Sequence, residues 1–379
     1  MTKPPVGRES LASDEFHALY RRGRFLWAEL LARHRVLSTS AAGGGQREDL
    51  RYLLNHQSCE GAGHEARAQL FHGLGPAGYH DRVCAEAGLE AADTAVMGTA
   101  ANMNHASIAV EAYAELRVRA VVTAGVEGNA GRAGDPALWH EGEAGWARAD
   151  PHAGTINTLV FFNWPLTPAA LARAVVTAVE AKSAALQELA VGSRYSAGMA
   201  TGTGTDQFCL AAPIDRRPPK SGSGHHAKLG ELIGRAVITA TKEALYWQNG
   251  LDPSRTRSLV HALGRLGFKE EDLDSAVGER LADDERALLQ KNLRALLHEP
   301  QVAAAAYAYA AVWERQRYGT LPSATAAAVL RQQAALMASC LAARPEIWSE
   351  CHDHLQVDPL RPLEAVYQAL ALGWSAKWA

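Results

Sequence analysis

No two cysteines in this 379-residue chain are spaced Cys-x-x-Cys, and their number, five, is odd. Cys59, Cys84, Cys209, Cys340 and Cys351 therefore suit reduced thiols better than a disulfide framework. No apolar run approaches the roughly 20 residues that cross a bilayer, and the first ten residues lack the apolar centre of a secretory signal. An excess of one charge is missing too. The 38 basic and 41 acidic side chains leave a formal net charge of -3, which argues against a nucleic-acid or membrane-surface partner. No Gly-x-x-x-x-Gly-Lys-Ser/Thr run is present, so a phosphate-loop enzyme is not indicated. What remains is a soluble, cytoplasmic protein, long enough for one large or two ordinary domains.

In chain order, residues 1–15 read as a loose arm. Residues 16–33 read as an amphipathic helix or an extended lead-in, so 1–32 is set apart as an N-terminal arm or helix. Val36-Leu-Ser-Thr-Ser40 is strand-like and runs into Gly43-Gly-Gly45, a sharp turn or a ligand loop. His56, His64, His72 and His80 recur every eight residues, a spacing unlike that of common metal ligands. Gly61, Gly63, Gly73, Gly75 and Gly78 forbid one continuous helix there. Residues 94–100 predict a strand, 103–116 a helix, and 118–125 a second strand ending in a loop with Asn129, Arg132 and Asp135. A further loop carries Trp139, His140, Glu141, Glu143 and Trp146. Residues 154–163 form a third strand, 167–189 a helix started by Pro168, and 199–212 a fourth strand. Residues 228–246 predict one more helix.

This order predicts an α/β (α+β) fold, a mixed β-sheet of βαββαβ type with packed helices, over residues 33–250. Residues 251–379 are rich in Ala, Leu, Arg and Glu at helical spacing, and predict a mostly helical region that caps the core or forms a homo-oligomeric contact.

Met199-Ala-Thr-Gly-Thr-Gly-Thr-Asp206 is the most unusual stretch. In an extended chain Thr201, Thr203 and Thr205 face one way, and Gly202, Gly204 and Asp206 the other. Glycines in a strand mark a bulge or a close approach of backbone. The helix before it carries a matching oddity. At about 100° per residue, Leu171, Val175, Ala178, Leu186 and Leu189 form one stripe with Lys182 at its centre. Glu180 points the opposite way with Arg173, Thr177 and Glu188. A lysine amid apolar side chains either reaches past their edge or meets a buried partner. The Thr–Gly run or Asp206 is the candidate partner.

Several blocks then resemble one family. They are Val121-Val-Thr-Ala-Gly-Val126 with Gly128-Asn-Ala-Gly-Arg-Ala-Gly-Asp135, Gly154-Thr-Ile-Asn-Thr158, Glu180-Ala-Lys182, Ala200-Thr-Gly-Thr-Gly-Thr-Asp206, and His225-His226 followed by Leu229-Gly-Glu-Leu-Ile-Gly234. In this order, over roughly residues 33 to 248, they resemble the adenosylcobinamide amidohydrolase family. The resemblance implies a corrinoid substrate whose aminopropanol amide is hydrolysed to adenosylcobyric acid, a salvage step toward cobalamin. It departs at the 139–146 loop, at the His- and Gly-rich 56–80 segment and at the helical C-terminal region, which leaves a related amide or lactam, or a non-catalytic corrinoid binder, as alternatives.

Amide cleavage needs a nucleophile, oxyanion donors and a proton for the amine. The candidate catalytic residues are Lys182, Thr203, Thr205, Asp206, His226 and Glu231. Thr203 or Thr205 attacks with Lys182 or His226 as base, or Asp206 or Glu231 activates water. Gly202 and Gly204 N–H groups suit the oxyanion. Asn129 and Asn157 suit substrate amides. Arg132, Asp135, Thr155, Thr201 and His225 complete the substrate-binding set implied by the resemblance. No tightly bound cofactor is expected, and a divalent metal stays an alternative.

Overall fold

The computed structural model describes residues 7–60, 64–137, 139–142, 145–148 and 154–378. Gly61, Gly63 and Glu143, and the side chains of His64, His72, Trp139, His140, Glu141 and Trp146, lie outside the described residues. The chain divides into two compact units. One runs to Tyr195 and resumes over Ala200–Leu251; the other comprises Ser196–Met199 and the chain from Asp252 onward.

The first unit opens with β1 (Glu9–Ser13), β2 (His17–Arg22), β3 (Phe25–Leu30), β4 (His34–Ser38), β5 (Gly45–Arg47) and β6 (Tyr52–Gln57). Helix α1 (His64–Ala87) leads to β7 (Thr94–Thr99), β8 (Ser107–Tyr113) and β9 (Leu116–Gly125). Two-residue β10 (Ala130–Gly131) and the hairpin β11 (Trp139–Gly142) and β12 (Gly145–Arg148) precede β13 (Thr155–Phe162). Helix α2 (Pro168–Glu188), β14 (Gly202–Thr203), β15 (Gln207–Pro213) and helix α3 (Lys228–Asn249) complete it.

The strands of the mixed α/β fold divide between two main sheets, of order β1-β2-β3-β6-β7 and β5-β4-β15-β13-β9-β8. Each holds one parallel pair, β6 with β7 and β13 with β15, and a helix joins each pair because parallel strands need a crossover. Period-two alternation builds three apolar layers. Val118, Ala120, Ile156, Val160 and Leu210 pack under α2 and α3, while Val121, Leu159, Phe161 and Cys209 face Leu26, Leu53 and Met97 of the other sheet. Phe25, Trp27 and Leu54 take Tyr79 and Val83 of α1 on the outer face. The unit is therefore layered helix, sheet, sheet, helices.

Three expectations change. In the segment 1–32 set apart as an arm or helix, Glu9–Ser13, read as part of a loose arm, is strand β1, and residues 16–33, read as an amphipathic helix or an extended lead-in, hold a hairpin turning at Gly23 (φ 52°), all inside the five-stranded sheet. Residues 103–116, read as a helix, hold one 3₁₀ turn (Met103–His105) and the edge strand β8. That strand pairs with β9 through a two-residue turn in which Ala114 takes φ 50°. Such turns ordinarily carry Gly, Asn or Asp, so Ala114-Glu115 concealed the hairpin. Thirdly, 199–212 is not one straight strand: β14 pairs with β10, and a turn at Gly204 and Thr205 separates it from β15. The break expected among the glycines of 56–80 is present at Gly75 (φ 67°), followed by Pro76 within α1.

The second unit is helical, chiefly Asp283–Leu297, Pro300–Arg317, Ser323–Ala342 and Pro362–Trp378, around buried Tyr309, Leu330 and Trp374. Arg265 and Glu314 form a buried ion pair in it (2.6 Å). No helix among the described residues is long and apolar enough to cross a membrane.

Candidate active site

The site lies at one end of the six-stranded sheet, where β9 stops at Gly125 and β13 and β15 begin. Alternation along β15 sends Phe208, Leu210 and Ala212 toward α2, and Asp206 shares their face. On α2, Thr167 caps the N-terminus by accepting from Ala170 N (3.1 Å). Leu171, Ala178 and Leu186 are buried as the stripe requires, and Lys182 is only 5 % exposed among them. Its stem passes the Phe208 ring (Nζ 5.6 Å from the centroid), and its ammonium donates to Asp206 Oδ2. The lysine thus both reaches past the stripe and meets a buried partner.

Asp206 is saturated with donors. Oδ1 accepts from Thr203 Oγ1 (2.6 Å) and Ile156 N (3.0 Å), and Oδ2 from Thr203 N (3.0 Å) as well as Lys182. A charge-assisted set of this kind fixes the carboxylate in place. It also draws Thr203 and Asp206 together across the turn, where a flat strand had put them on opposite faces. Gly202 leaves room for it. A Cβ there collides with Asp206 Oδ2 and comes within 2.5 Å of Lys182 Nζ.

On the other flank of the turn, Thr205 Oγ1 meets Thr155 Oγ1 (2.5 Å), and both hydroxyls lie within 2.9 Å of Gly154 O. That carbonyl also accepts from Asn129 Nδ2 (2.9 Å). Two lone pairs cannot serve three donors well, so one hydroxyl turns to the other. Gly154 sits at φ 155°, and a Cβ would stand 2.8 Å from Asn129 Cβ. Tyr195 Oη donates to Asn129 Oδ1 (2.6 Å) and so sets which way the amide faces.

A cavity of about 200 Å³ opens beside Thr155 and Thr205. Gly154, Gln207, Gly98 and His80 supply its polar wall, and Ala41, Ala42, Pro76, Tyr79, Val96 and Ala100 the rest. Lys182, Thr203 and Asp206 are not in its lining. They lie on the α2 side of the sheet end, because Asp206 immediately precedes Gln207, the first residue of β15, and the two point opposite ways. The Thr203–Thr205 turn connects the two flanks.

Among the sulfur nucleophiles nearby, burial pushes Cys84 up to about 11 and Cys209 up to about 12. Thiols held protonated are poor nucleophiles. Among the described residues no group of three or more His, Cys, Asp or Glu side chains is placed to hold a metal ion.

The remaining sequence-predicted residues fall in three places. Thr201 Oγ1 accepts from Ala133 N (2.9 Å), and Asp135 Oδ2 accepts from Arg132 N (2.8 Å) and Ser193 Oγ (2.5 Å). These contacts tie the glycine–asparagine loop to the turn, with the Arg132 side chain exposed. Asn157 is buried between the sheets, donating to Asn55 Oδ1 (2.8 Å) and Gly98 O (3.2 Å). His225, His226 and Glu231 are not brought to the turn. His225 bonds Glu180 (2.5 Å) at the surface, His226 is exposed, and Glu231 pairs with Lys228 and Arg235. For His225 the reason is the one already read from α2: its partner Glu180 is on the face away from Lys182. Thr177, placed outward with Glu180, is instead buried and donates to Ser223 O (2.9 Å), because the 220–224 segment covers that face.

Sequence reasoning missed Tyr195 and Gln207. Gln207 carried a signal, since the residue after Asp206 in a strand must face the other way. Tyr195 carried none.

A layered α/β unit with a lysine–aspartate–threonine constellation at the sheet end is what the geometry defines. The profile of the adenosylcobinamide amidohydrolase family matches residues 8–253, more than half the chain, and the chain belongs to that family. The match takes in β1–β3 and stops where the helical unit begins. An uncharacterized protein of Methanocaldococcus jannaschii is 34% identical over 186 residues, covering 45% of this chain and 70% of that protein. A crystal structure of a Pyrococcus horikoshii protein aligns with 63% of this chain and 83% of its own, at 12% identity and a TM-score of 0.31. That likeness is too slight to bear on fold or function.

Proposed function

We propose that the chain hydrolyses the amide joining aminopropanol to the corrin ring of adenosylcobinamide, giving adenosylcobyric acid, with Thr203 as nucleophile. Family membership supports the substrate class. One observation carries the chemistry: Thr203 Oγ1 already donates to a carboxylate that is held in place by a buried ammonium. A weak hydroxyl nucleophile needs such an acceptor. Among the described residues the Thr205 hydroxyl has another hydroxyl and a carbonyl as its partners.

Thr203 Oγ1 attacks the amide carbon and passes its proton to Asp206. The oxyanion is met by the Gly204 N–H at the exposed tip of the turn and by the positive charge of Lys182. The C–N bond then breaks, the amine leaves with the proton from Asp206, and water hydrolyses the Thr203 ester by the same relay.

The test is incubation with adenosylcobinamide and mass spectrometry for cobyric acid and aminopropanol. Thr203→Ala is expected to lose about 10³-fold in rate, within the usual range of an essential nucleophile or base, while Thr203→Ser keeps measurable turnover. Full activity in Thr203→Ala would transfer the role to a water activated by Asp206. Binding with no product from the wild-type protein would favour a corrinoid carrier.

Catalysis is proposed to need no metal, because every lone-pair direction of Asp206 is already taken and a cation must displace Lys182. Turnover is expected to be unchanged by a chelator. Loss of activity restored by a divalent ion would refute this.

A further inference from the structure

Gln207 is a cavity residue whose amide is oriented by the fold and left half unused. Its Oε1 accepts from Gly98 N (2.9 Å). Gly98 is held in turn, since its carbonyl accepts from Asn157 Nδ2, which also donates to Asn55 Oδ1, and Asn55 Nδ2 donates to Thr123 Oγ1 (2.8 Å). This relay of amides, buried between the two sheets, fixes the Gln207 carboxamide by its oxygen. Its Nε2, with two protons, has no hydrogen-bond partner among the described residues, and the side chain lines the cavity. A glutamine positioned on one side and offering two donors on the other is suited to read an acceptor.

The cavity limits what that acceptor belongs to. A dry cavity of about 150 Å³ accommodates a benzene-sized molecule. About 200 Å³ in a pocket that is open on one side therefore suits a short chain of slightly more than six heavy atoms better than a macrocycle. Its walls are divided, with Ala42, Pro76, Val96 and Ala100 on the apolar part and Gln207, Thr155 and Thr205 on the polar part. A neutral chain bearing one methyl and one hydroxyl or carbonyl oxygen matches both.

We infer that this cavity is the specificity pocket for the amine half of the amide, and that Gln207 Nε2 donates to the oxygen of a short hydroxyalkyl chain. The inference rests on the hydrolase reading above and deepens it. The ring-bearing half stays outside, and the amide crosses the Thr203–Thr205 turn, with the nucleophile on one flank and the pocket on the other. Recognition at the amine end then governs which amides are cleaved. Gln207 touches neither Thr203 nor Lys182 in the structure, so its loss acts on binding before chemistry.

The probe is N-(2-hydroxypropyl)propanamide, a small amide with no corrin ring, titrated against the full-length protein by ligand-observed NMR. N-propylpropanamide, lacking the hydroxyl, is the comparison. The wild-type protein is expected to bind the hydroxylated probe at least fivefold more tightly. Gln207→Glu keeps an acceptor for Gly98 N but replaces the donors with acceptors, and should abolish that preference. Ala100→Leu fills the pocket from its apolar side and should weaken both probes at least tenfold with an unchanged circular dichroism spectrum. In turnover assays Gln207→Glu should raise KM for adenosylcobinamide at least tenfold and change kcat less. Equal binding of the two probes by wild type, or an undiminished preference in Gln207→Glu, overturns the inference. Because probe binding is read without turnover, its result stands apart from that of the hydrolase reading: a protein that prefers the hydroxylated probe but yields no cobyric acid keeps the pocket and loses the reaction.

Discussion

Lys182→Met is expected to reduce kcat/KM toward adenosylcobinamide by about 10³-fold, in the range typical of a lost oxyanion-stabilising group, and to lower stability measurably. Lys182 and Asp206 are 6% and 9% exposed at their side chains. Removing one partner of a buried pair leaves the other charge uncompensated, at about 3–5 kcal/mol. Here the low end applies, because Asp206 keeps the Ile156 N–H and both Thr203 donors. Some 3 kcal/mol in a unit of this size corresponds to a melting temperature about 6–12 °C lower. The double variant Lys182→Met with Asp206→Asn separates the two roles. Asparagine removes the stranded charge, keeps one acceptor oxygen, and should recover most of the stability. Activity should stay lost. If turnover returns together with the melting temperature, the pair is only a structural clasp and the proposed relay is wrong.

Gly202→Ala is the second large effect. The backbone there is not in the left-handed region, so alanine brings no conformational strain. Its whole consequence is one methyl group placed into the Lys182–Asp206 contact. Lysine can retreat, whereas Asp206 is fastened by three further donors. The pair therefore separates, and the lysine loses its buried partner. We expect about a hundredfold loss of kcat/KM and about 1–3 kcal/mol of destabilisation, the usual cost of overpacking. Gly234→Ala on α3 is the control, since a Cβ there meets nothing within 4 Å among the described residues. Alanine in a helix interior gains roughly 0.5–1 kcal/mol over glycine, so this variant should be active and slightly more stable. Unaltered kinetics in Gly202→Ala would mean that the ammonium need not touch Asp206 during turnover.

Both predictions concern a lysine that the amino-acid sequence alone makes conspicuous. Its place in the stripe follows from about 100° per residue, and so does the separation of Glu180, which the structure pairs with His225 at the surface. The strands Thr94–Thr99 and Thr155–Phe162, and the 118–125 part of Leu116–Gly125, were likewise legible, as were the helices with caps or long apolar periodicity. Strand β8 was not, because Ser-Ile-Ala-Val-Glu-Ala-Tyr satisfies a helix as readily as a strand, and only its ladder to β9 decides. The division into two sheets was hidden for a related reason: alternation tells which residues share a face, never which sheet the face belongs to.

At the Thr–Gly run the division of labour is clearest. Residue types and spacing alone singled out Lys182 and the Thr201–Asp206 run, left Thr203 and Thr205 open as nucleophiles with His226 and Glu231 beside them, and aimed the lysine at the sheet. They placed Thr203 and Asp206 on opposite faces, because local geometry assumes that an extended segment stays extended. The tertiary structure reverses this by turning the chain at Gly204 and gathering four donors, from α2, β13 and the turn itself, onto one carboxylate. It alone also set Asn129 against Tyr195, and placed His226 and Glu231 away from the turn. A hydrogen-bonded cluster depends on distances between segments far apart in the chain, and those are determined by packing, not by the order of residues within any one of them.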